Sequence, residues 1–151
     1  MGPEFRPIGV VRSPVTQPVD EGWGAVVSEV RLDSAYADGL RGLEQFSHAV
    51  IVTWLHLAAF DQQEHLLRRP QGRADMPEVG IFAQRARHRP NPIGITAVEV
   101  LGVDGNVLRV RGLDAIDGTP VLDIRPYFPA YDRVARPKVP DWVGRLMEGY
   151  F

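Results

Sequence analysis

The stretch RARHRPNPIGIT, which begins at Arg85, carries the residue types best suited to holding a ligand. Arg85, Arg87 and Arg89 are spaced by two, so in an extended segment their side chains project to one side and converge on a carboxylate or a phosphate. Two prolines fix the backbone around Asn91, and Gly94 permits a close backbone approach. The alternative is that the arginines cover apolar surface and the prolines block an edge strand.

Three carboxylates, Asp114, Asp117 and Asp123, surround a second candidate, a tight turn. Asp117 could accept a proton as a general base, or it could only stabilise an Asx-type turn. His56 is predicted on a strand, as a core or rim histidine or as a ligand contact. Trp23 lies between two glycines, where it could stack on a base or plug the end of a barrel.

Several common catalytic motifs are absent from the sequence. It contains neither of the glycine-rich phosphate loops of nucleotide-binding folds, nor a nucleophile elbow, which disfavours a Rossmann-type cofactor site. Cysteine is absent, and the four histidines lack the spacing of metal ligands. No metal site is therefore predicted.

The elements that must position these residues are mostly short apolar runs with β-like alternation, separated by turn residues. These runs cover residues 8–11, 25–32, 49–57, 79–82, 95–103, 107–113 and 121–127. The Asp104-Gly105 pair between two runs predicts a hairpin. Short helices are predicted over 34–41 and 140–147. The sequence thus predicts a mainly β fold of six to seven strands, arranged as a barrel or a sandwich.

Charge and length restrict the class of protein. A chain of 151 residues fits one domain, and a net charge of −2 does not predict a broad nucleic-acid-binding surface. A positive face is expected only between Asp61 and Arg89, where six arginines stand against four acids. The polar segment 59–76 is expected to be either mobile or a binding loop. No apolar run is long enough for export or for spanning a bilayer, so the sequence predicts a soluble, cytoplasmic protein.

Four long motifs resemble the TsaA/TrmO-like family of S-adenosylmethionine-dependent tRNA methyltransferases, also called YaeB-like or VirR-like. They are IGVVRSP from Ile8, GLEQFSHAVIVTWLH from Gly42, GIFAQRARHRPNPIGIT from Gly80 and GLDAIDGTPVLDIRPY from Gly112. The resemblance covers nearly the whole chain. It implies one small antiparallel β-barrel domain over 1–151, without the C-terminal domain of longer members, that works as a homodimer with the cofactor near the interface.

The resemblance also implies a reaction, the transfer of a methyl group from S-adenosyl-L-methionine to N6 of N6-threonylcarbamoyladenosine beside the anticodon of tRNA. The cofactor contacts it implies are Glu21, Gly22, Trp23, His56, Arg85, Ile95, Asp117, Gly118 and Thr119. Arg87, Arg89 and Asn91 would face the modified nucleotide or support the loop itself. Asp117 is the first candidate for the base that takes the N6 proton, and His56 is the second.

Two other functions are compatible with the sequence. One is a non-catalytic RNA-binding barrel, in which Trp23 and the arginines hold a single-stranded loop by stacking and phosphate contacts. The other is a methyltransferase that acts on a small molecule.

Overall fold

Six strands close an antiparallel barrel in the computed structural model, which describes residues 2–151. The chain runs through β1 (Gly9–Arg12), β2 (Val27–Leu32), β3 (His48–Trp54), β4 (Leu67–Arg68), β5 (Val79–Gly80), β6 (Ile93–Asp104), β7 (Val107–Arg111) and β8 (Pro120–Pro126). Around the barrel the order is β1-β2-β7-β6-β3-β8, and β4 pairs only with β5. The predicted mainly β fold, a small antiparallel barrel, is confirmed.

Two sequence predictions about strands were wrong in detail. The run 79–82 is not a barrel strand, because only Val79–Gly80 is extended and it pairs with β4 before a 3-10 helix at Ile81–Ala83. The run that begins at Ala49 ends as a strand at Trp54, so His56 lies beyond β3. It occupies a turn closed by the Ala58 amide, which donates to the Leu55 carbonyl over 2.9 Å.

Alternation along the strands fills the barrel, because successive side chains point to opposite faces. In β2, for example, Ser28, Val30 and Leu32 are buried, whereas Arg31 between them is exposed. The buried apolar side chains form one cluster. Its fully enclosed members include Val11, Val30, Ile51, Val98, Leu108, Val110, Leu113 and Val121.

The strand β6 joins the two halves of the barrel. Its first half pairs with β3, from Ile93 opposite Trp54 to Glu99 opposite His48. Its second half pairs with β7, with a shift of register between Val100 and Gly102. The predicted hairpin is present, and Gly105 adopts a φ of 59°, which glycine tolerates at no steric cost.

Helices are few and short, as predicted. They are α1 (Gln62–His65), α2 (Pro129–Asp132) and α3 (Trp142–Met147). The helix predicted over 34–41 forms as a 3-10 helix at Ser34–Leu40, and shorter 3-10 turns occur at Trp23–Ala25, Leu43–Gln45 and Pro70–Gly72. Within residues 2–151, no helix has the length and apolar character needed to cross a membrane.

The polar segment 59–76 packs against the structure and is not a loose excursion. It contains α1, β4 and a 3-10 turn, and it ends at Met76, which is 1% exposed. The Arg69 guanidinium donates to the Met76 carbonyl. The buried Gln84 amide donates to the carbonyls of Arg68 (3.0 Å) and Val79 (2.9 Å), which ties this segment to the RARHRPNPIGIT loop.

Candidate functional site

Asp114 lies at the centre of a polar cluster on one side of the barrel. The Tyr150 hydroxyl donates to its Oδ2 over 2.6 Å, and the Thr96 hydroxyl on β6 donates to Oδ1. In the described part of the chain, no arginine, lysine or histidine nitrogen lies within 4.0 Å of this half-buried carboxylate. A carboxylate removed from water without a cation is unfavourable, so the cluster suits a positively charged ligand group.

The environment of Tyr150 keeps its hydroxyl protonated. Burial raises the pKa of Tyr150 well above its ordinary value, and the charge of Asp114 raises this pKa further because a tyrosinate beside a carboxylate is disfavoured. The positive charge of Arg85 acts in the opposite direction, which places Arg85 within electrostatic range of the cluster. Tyr150 is therefore a permanent hydrogen-bond donor to Asp114 at neutral pH.

The C-terminal segment brings Tyr150 to the cluster by docking on the loop that contains Gly22 and Trp23. The Gly22 amide donates to the Gly149 carbonyl and the Trp23 amide donates to the Tyr150 carbonyl, both over 2.8 Å. Gly24 lets the two segments meet, since a Cβ at this position would lie 2.5 Å from the carbonyl carbon of Phe151. The predicted cofactor loop and the Asp114 cluster are thus linked through the C-terminal segment.

Trp23 is buried in this loop and does not project into solvent. Its side chain is 2% exposed, and its indole N–H donates to the Val19 carbonyl over 2.9 Å. The sequence left open whether Trp23 stacks on a base or packs within the protein. Because the ring is buried, it is not available for stacking on a base in this structure, and its role is in packing. Gly22, with a φ of 76°, supplies the left-handed conformation that starts the 3-10 turn.

The three arginines of the RARHRPNPIGIT loop do not converge, contrary to the prediction from their spacing. Residues 85–92 of this stretch are irregular and not a strand, so alternation does not apply to the arginines. Arg85 donates to the Ile95 carbonyl over 2.6 Å. Arg89 turns back into the loop, where it donates to the carbonyls of Gln84 (2.8 Å) and Ala86 (3.1 Å). Arg87 remains exposed at the surface.

The loop is anchored to the end of β3. The Leu55 amide donates to the Pro92 carbonyl over 2.7 Å. Gly94 permits a close approach, as predicted, but the groups that approach it are side chains and not backbone. A Cβ at this position would lie 2.6 Å from Thr53 Oγ1 and 3.1 Å from Leu55 Cδ2. Asn91, at the tip, is exposed. The loop is a fixed platform that presents Asn91 and Arg87.

His88 connects this platform to the segment 59–65. Its Nδ1 accepts the Ala59 amide over 3.1 Å, and its ring stacks on His65 with centroids 4.6 Å apart. The neutral ring then carries its proton on Nε2, so the 3.3 Å approach of Arg87 Nε to that atom is not a hydrogen bond. Burial lowers the pKa of His88, and the neighbouring charges of Arg87, His65 and Arg68 lower it further.

Asp117 lies in a different environment from Asp114. Its Oδ1 accepts the Ser13 amide over 3.0 Å and lies 3.9 Å from Arg12 Nη1, so this carboxylate joins two distant segments and does not form a local Asx turn. It lines a groove of about 400 Å³ with Arg12, Arg31 and Arg109. Except for Asp117, none of the predicted cofactor residues lines this groove.

The two residues after Asp117 are largely structural. Gly118 adopts a φ of 86° and donates to the Val11 carbonyl over 2.8 Å. Thr119 is 2% exposed, and its hydroxyl donates to the Ile116 carbonyl over 2.7 Å. Both therefore shape the turn that holds Asp117 against β1.

The sequence did not indicate the roles of Asp114, Thr96 and Tyr150. Asp114 was visible only as one of three carboxylates near a turn. Thr96 was the last residue of the loop motif, and Tyr150 lies 36 positions from its partner. Two predicted cofactor contacts lie elsewhere. Glu21 is exposed next to Gly22, and His56 is half-buried in the turn after β3.

Comparison with known proteins identifies the family. The family model for the tRNA-methyltransferase O N-terminal domain matches residues 13–133. The chain therefore belongs to the tRNA-methyltransferase O N-terminal domain family, as its motifs predicted.

Relatives and solved structures agree. A probable S-adenosyl-L-methionine-binding protein of Methanothermobacter thermautotrophicus is 44% identical over 132 residues, which cover 85% of this chain and 92% of that protein. The tRNA (adenine(37)-N6)-methyltransferase of Escherichia coli is 41% identical over 139 residues, covering 83% of this chain and 58% of the enzyme. The crystal structure of TrmO from Pseudomonas aeruginosa superposes with a TM-score of 0.74 at 32% identity, covering 91% of this chain and 62% of that one. The chain thus spans less than two thirds of both enzymes.

Proposed function

We propose that this protein methylates N6 of N6-threonylcarbamoyladenosine in tRNA, next to the anticodon, with S-adenosyl-L-methionine as methyl donor. The observation that carries the proposal is the Asp114 cluster. Its half-buried carboxylate has no cationic side chain of residues 2–151 within 4.0 Å, and Tyr150 links it to the predicted cofactor loop. The E. coli relative is named for methylation of tRNA adenine at N6. The threonylcarbamoyl requirement rests on the resemblance of the motifs.

The residues fit this cofactor chemically. S-adenosylmethionine supplies an activated methyl group on a sulfonium and also carries an amino group and a carboxylate. Asp114 would hold a cationic part of it, and Arg85 would attract its carboxylate. The exposed Ile95 side chain and the backbone of Glu21 and Gly22 would complete the pocket. The contributions of His56, Asp117, Gly118, Thr119 and the Trp23 ring stay predictions of the family resemblance.

Catalysis in this site would consist mainly of positioning. Holding a donor carbon and an acceptor nitrogen at near-attack distance contributes up to about 7–11 kcal/mol to lowering a barrier of this kind. The acceptor N6 carries a proton, which a base must take. Asp117 is the proposed base and His56 the second candidate. The free Oδ2 of Asp117 supports this assignment, since only Oδ1 accepts the Ser13 amide.

The platform would hold the modified nucleotide. Arg87 and Asn91 are exposed and would face it, with Arg87 suited to its carboxylate or to a phosphate. Arg89 would act as a scaffold, because its guanidinium is already bonded to two loop carbonyls.

A second copy of the chain would complete the assembly. Trp54 and Ile93 are paired across β3 and β6, and both are over 40% exposed, as is Ile95 two residues along the same face. An exposed apolar strip of this kind marks a protein interface. Since Ile95 is also a predicted cofactor contact, a homodimer through this face would place the cofactor near the interface. Analytical ultracentrifugation of wild type and Trp54→Glu tests this: a dimer that dissociates in the variant supports it.

The direct test is calorimetric titration with S-adenosyl-L-methionine, followed by methyl transfer to tRNA with and without the threonylcarbamoyl group. Arg85→Ala should weaken cofactor binding, whereas Arg111→Ala, a change at an exposed arginine on β7 outside the groove of Asp117, should not. Methyl transfer only to the modified tRNA supports the proposal. RNA affinity without cofactor binding would indicate a non-catalytic RNA module, and transfer only into a metabolite extract would indicate a small-molecule enzyme.

A further inference from the structure

An exposed arm follows the last barrel strand. Every residue from 128 to 141 is exposed, from the end of β8 to the start of α3. The arm nevertheless has a defined path at its start: the Phe128 amide donates to the Asp132 carboxylate over 2.9 Å, and the Tyr131 amide donates to the Phe128 carbonyl over 2.9 Å. Apart from the contact of Phe128 with Phe46, packing therefore does little to explain the residues of this arm.

Aromatic rings are stacked at the base of the arm. Phe128 stacks on Phe46 with centroids 5.7 Å apart and an angle of 23° between the rings, and Tyr131 lies 6.0 Å from Phe128. Phe128 is 41% exposed and Tyr131 is 85% exposed. This is a short stacking surface that is open to solvent at the Tyr131 ring.

Positive charge follows directly along the chain. Arg133, Arg136 and Lys138 lie within residues 133–140, and the two acids of the arm, Asp132 and Asp141, lie on either side of this run. In the part of the chain that the structure describes, none of these three cations has a carboxylate oxygen within 4.0 Å. Two arginines of the barrel wall differ, since Arg31 and Arg111 are paired with Glu29 and Glu99.

We infer that this arm is an RNA-binding surface that takes an unpaired stretch of the tRNA substrate. Exposed aromatic rings on which bases stack, next to cations that follow the phosphate backbone, are the features by which proteins hold single-stranded nucleic acid. The charges of the arm are local, because the whole chain has a net charge of −2. The inference rests on the proposed function for the identity of the RNA, whereas the surface itself does not depend on the methyl-transfer site.

The test uses two variants of the full chain and a fluorescein-labelled anticodon stem-loop RNA. Tyr131→Ala removes the open ring, and stacking of one base predicts a loss of affinity of roughly tenfold. The combined variant Arg133→Gln, Arg136→Gln, Lys138→Gln removes the three charges. It should lower the slope of log affinity against log salt concentration by about 2, because each phosphate contact on a single strand contributes about 0.7. Tyr36→Ala and the combined Arg6→Gln, Arg41→Gln, Arg111→Gln, all at exposed positions outside the groove of Asp117, are the matched controls, and they should bind RNA like the wild type.

The outcomes separate this inference from the proposed function. Loss of RNA affinity in the arm variants, with unchanged S-adenosyl-L-methionine binding, supports the inference, whether or not methyl transfer to tRNA is found. RNA affinity equal to the wild type in both variants overturns it, even where methyl transfer proceeds. A change only in the sedimentation of the arm variants also overturns it, since the arm would then contact a second copy of the chain.

Discussion

Tyr150 and Asp114 are joined by a hydrogen bond in which the phenolic hydroxyl donates to Oδ2 over 2.6 Å. This bond links the C-terminal segment to the carboxylate at the centre of the candidate site. The same segment is bonded through its backbone to Gly22 and Trp23. The site is thus assembled from three parts of the chain that are remote in sequence.

Tyr150→Phe should weaken S-adenosyl-L-methionine binding several-fold. The variant removes one of the two hydroxyl donors that hold Asp114 in its orientation, so the carboxylate is no longer fixed for a cationic group of the cofactor. Calorimetric titration of the variant measures the effect. Tyr36→Phe, a change at an exposed tyrosine, is the control, and equal affinities in all three proteins would show that Tyr150 does not support the site.

The same tyrosine should make the protein sensitive to alkali. Because its pKa in the folded protein is raised, the unfolded chain loses the phenolic proton first as the pH rises above about 10, and the stability due to this group declines from there upward. Urea unfolding measured from about pH 9 to about pH 11, the range in which an ordinary tyrosine loses its proton, tests this. The free energy of unfolding should fall more steeply with pH in wild type than in Tyr150→Phe. Parallel curves would contradict the assignment.

Asp117→Asn should lower methyl transfer much more than cofactor affinity. The amide oxygen of asparagine still accepts the Ser13 amide, so the link between the turn and β1 survives while the proton acceptor is lost. Single-turnover rates with modified tRNA, compared with calorimetric affinities, measure the two effects. Equal losses in both would assign Asp117 to binding.

Arg89 and Arg87 should respond differently to alanine. Arg89→Ala removes two hydrogen bonds to loop carbonyls and should lower the free energy of unfolding by about 1–3 kcal/mol. Arg87→Ala changes an exposed side chain and should change it by less than about 0.5 kcal/mol, while weakening tRNA binding. Urea unfolding and an RNA-binding assay distinguish the pair, and the reverse pattern would show that Arg89 faces the substrate.

His88 should make the platform sensitive to mild acid. The pKa of His88 is lowered in the folded protein, so the unfolded chain takes up the proton first as the pH falls below about 6.5. The contribution of neutral His88 to the free energy of unfolding is therefore complete above that pH and is lost as the pH falls toward the pKa of the folded state. Protonation also removes the acceptor of the Ala59 amide. Amide hydrogen exchange should show Ala59 opening in acid. In His88→Gln the pH dependence of stability should be flatter than in wild type.

Local chemistry explains which parts of the fold were predictable. The hairpin at Gly105 follows from two residues and the alternation on either side of them. The barrel core was predictable for the same reason, since alternation is a property of each strand alone. The short run 79–82 was not, because its apolar residues indicate burial but do not indicate which partner strand lies beside them.

The site was predictable only where a motif carries it. The contact of Arg85 with Ile95 joins two residues of one long family motif. Predicting one common face for Arg85, Arg87 and Arg89 required an extended backbone. The chain instead bends at Arg87 and Arg89, and Arg89 is bonded back to carbonyls that precede it. Tyr150 carries no local signal, because its role depends on where the tertiary fold brings the end of the chain.

Barrel closure joins the first strand to the last, and this has a consequence for folding. Gly9 pairs with Val121, and the Val11 amide donates to the Thr119 carbonyl, so closure brings together residues more than a hundred positions apart. Folds dominated by such distant pairings close slowly. On the ribosome, β1 and β2 emerge long before β8 exists, and their open edges remain available for wrong pairing until then. The turn that bears Asp117 forms in the same step, so a chain gains its proposed base only when the barrel is complete.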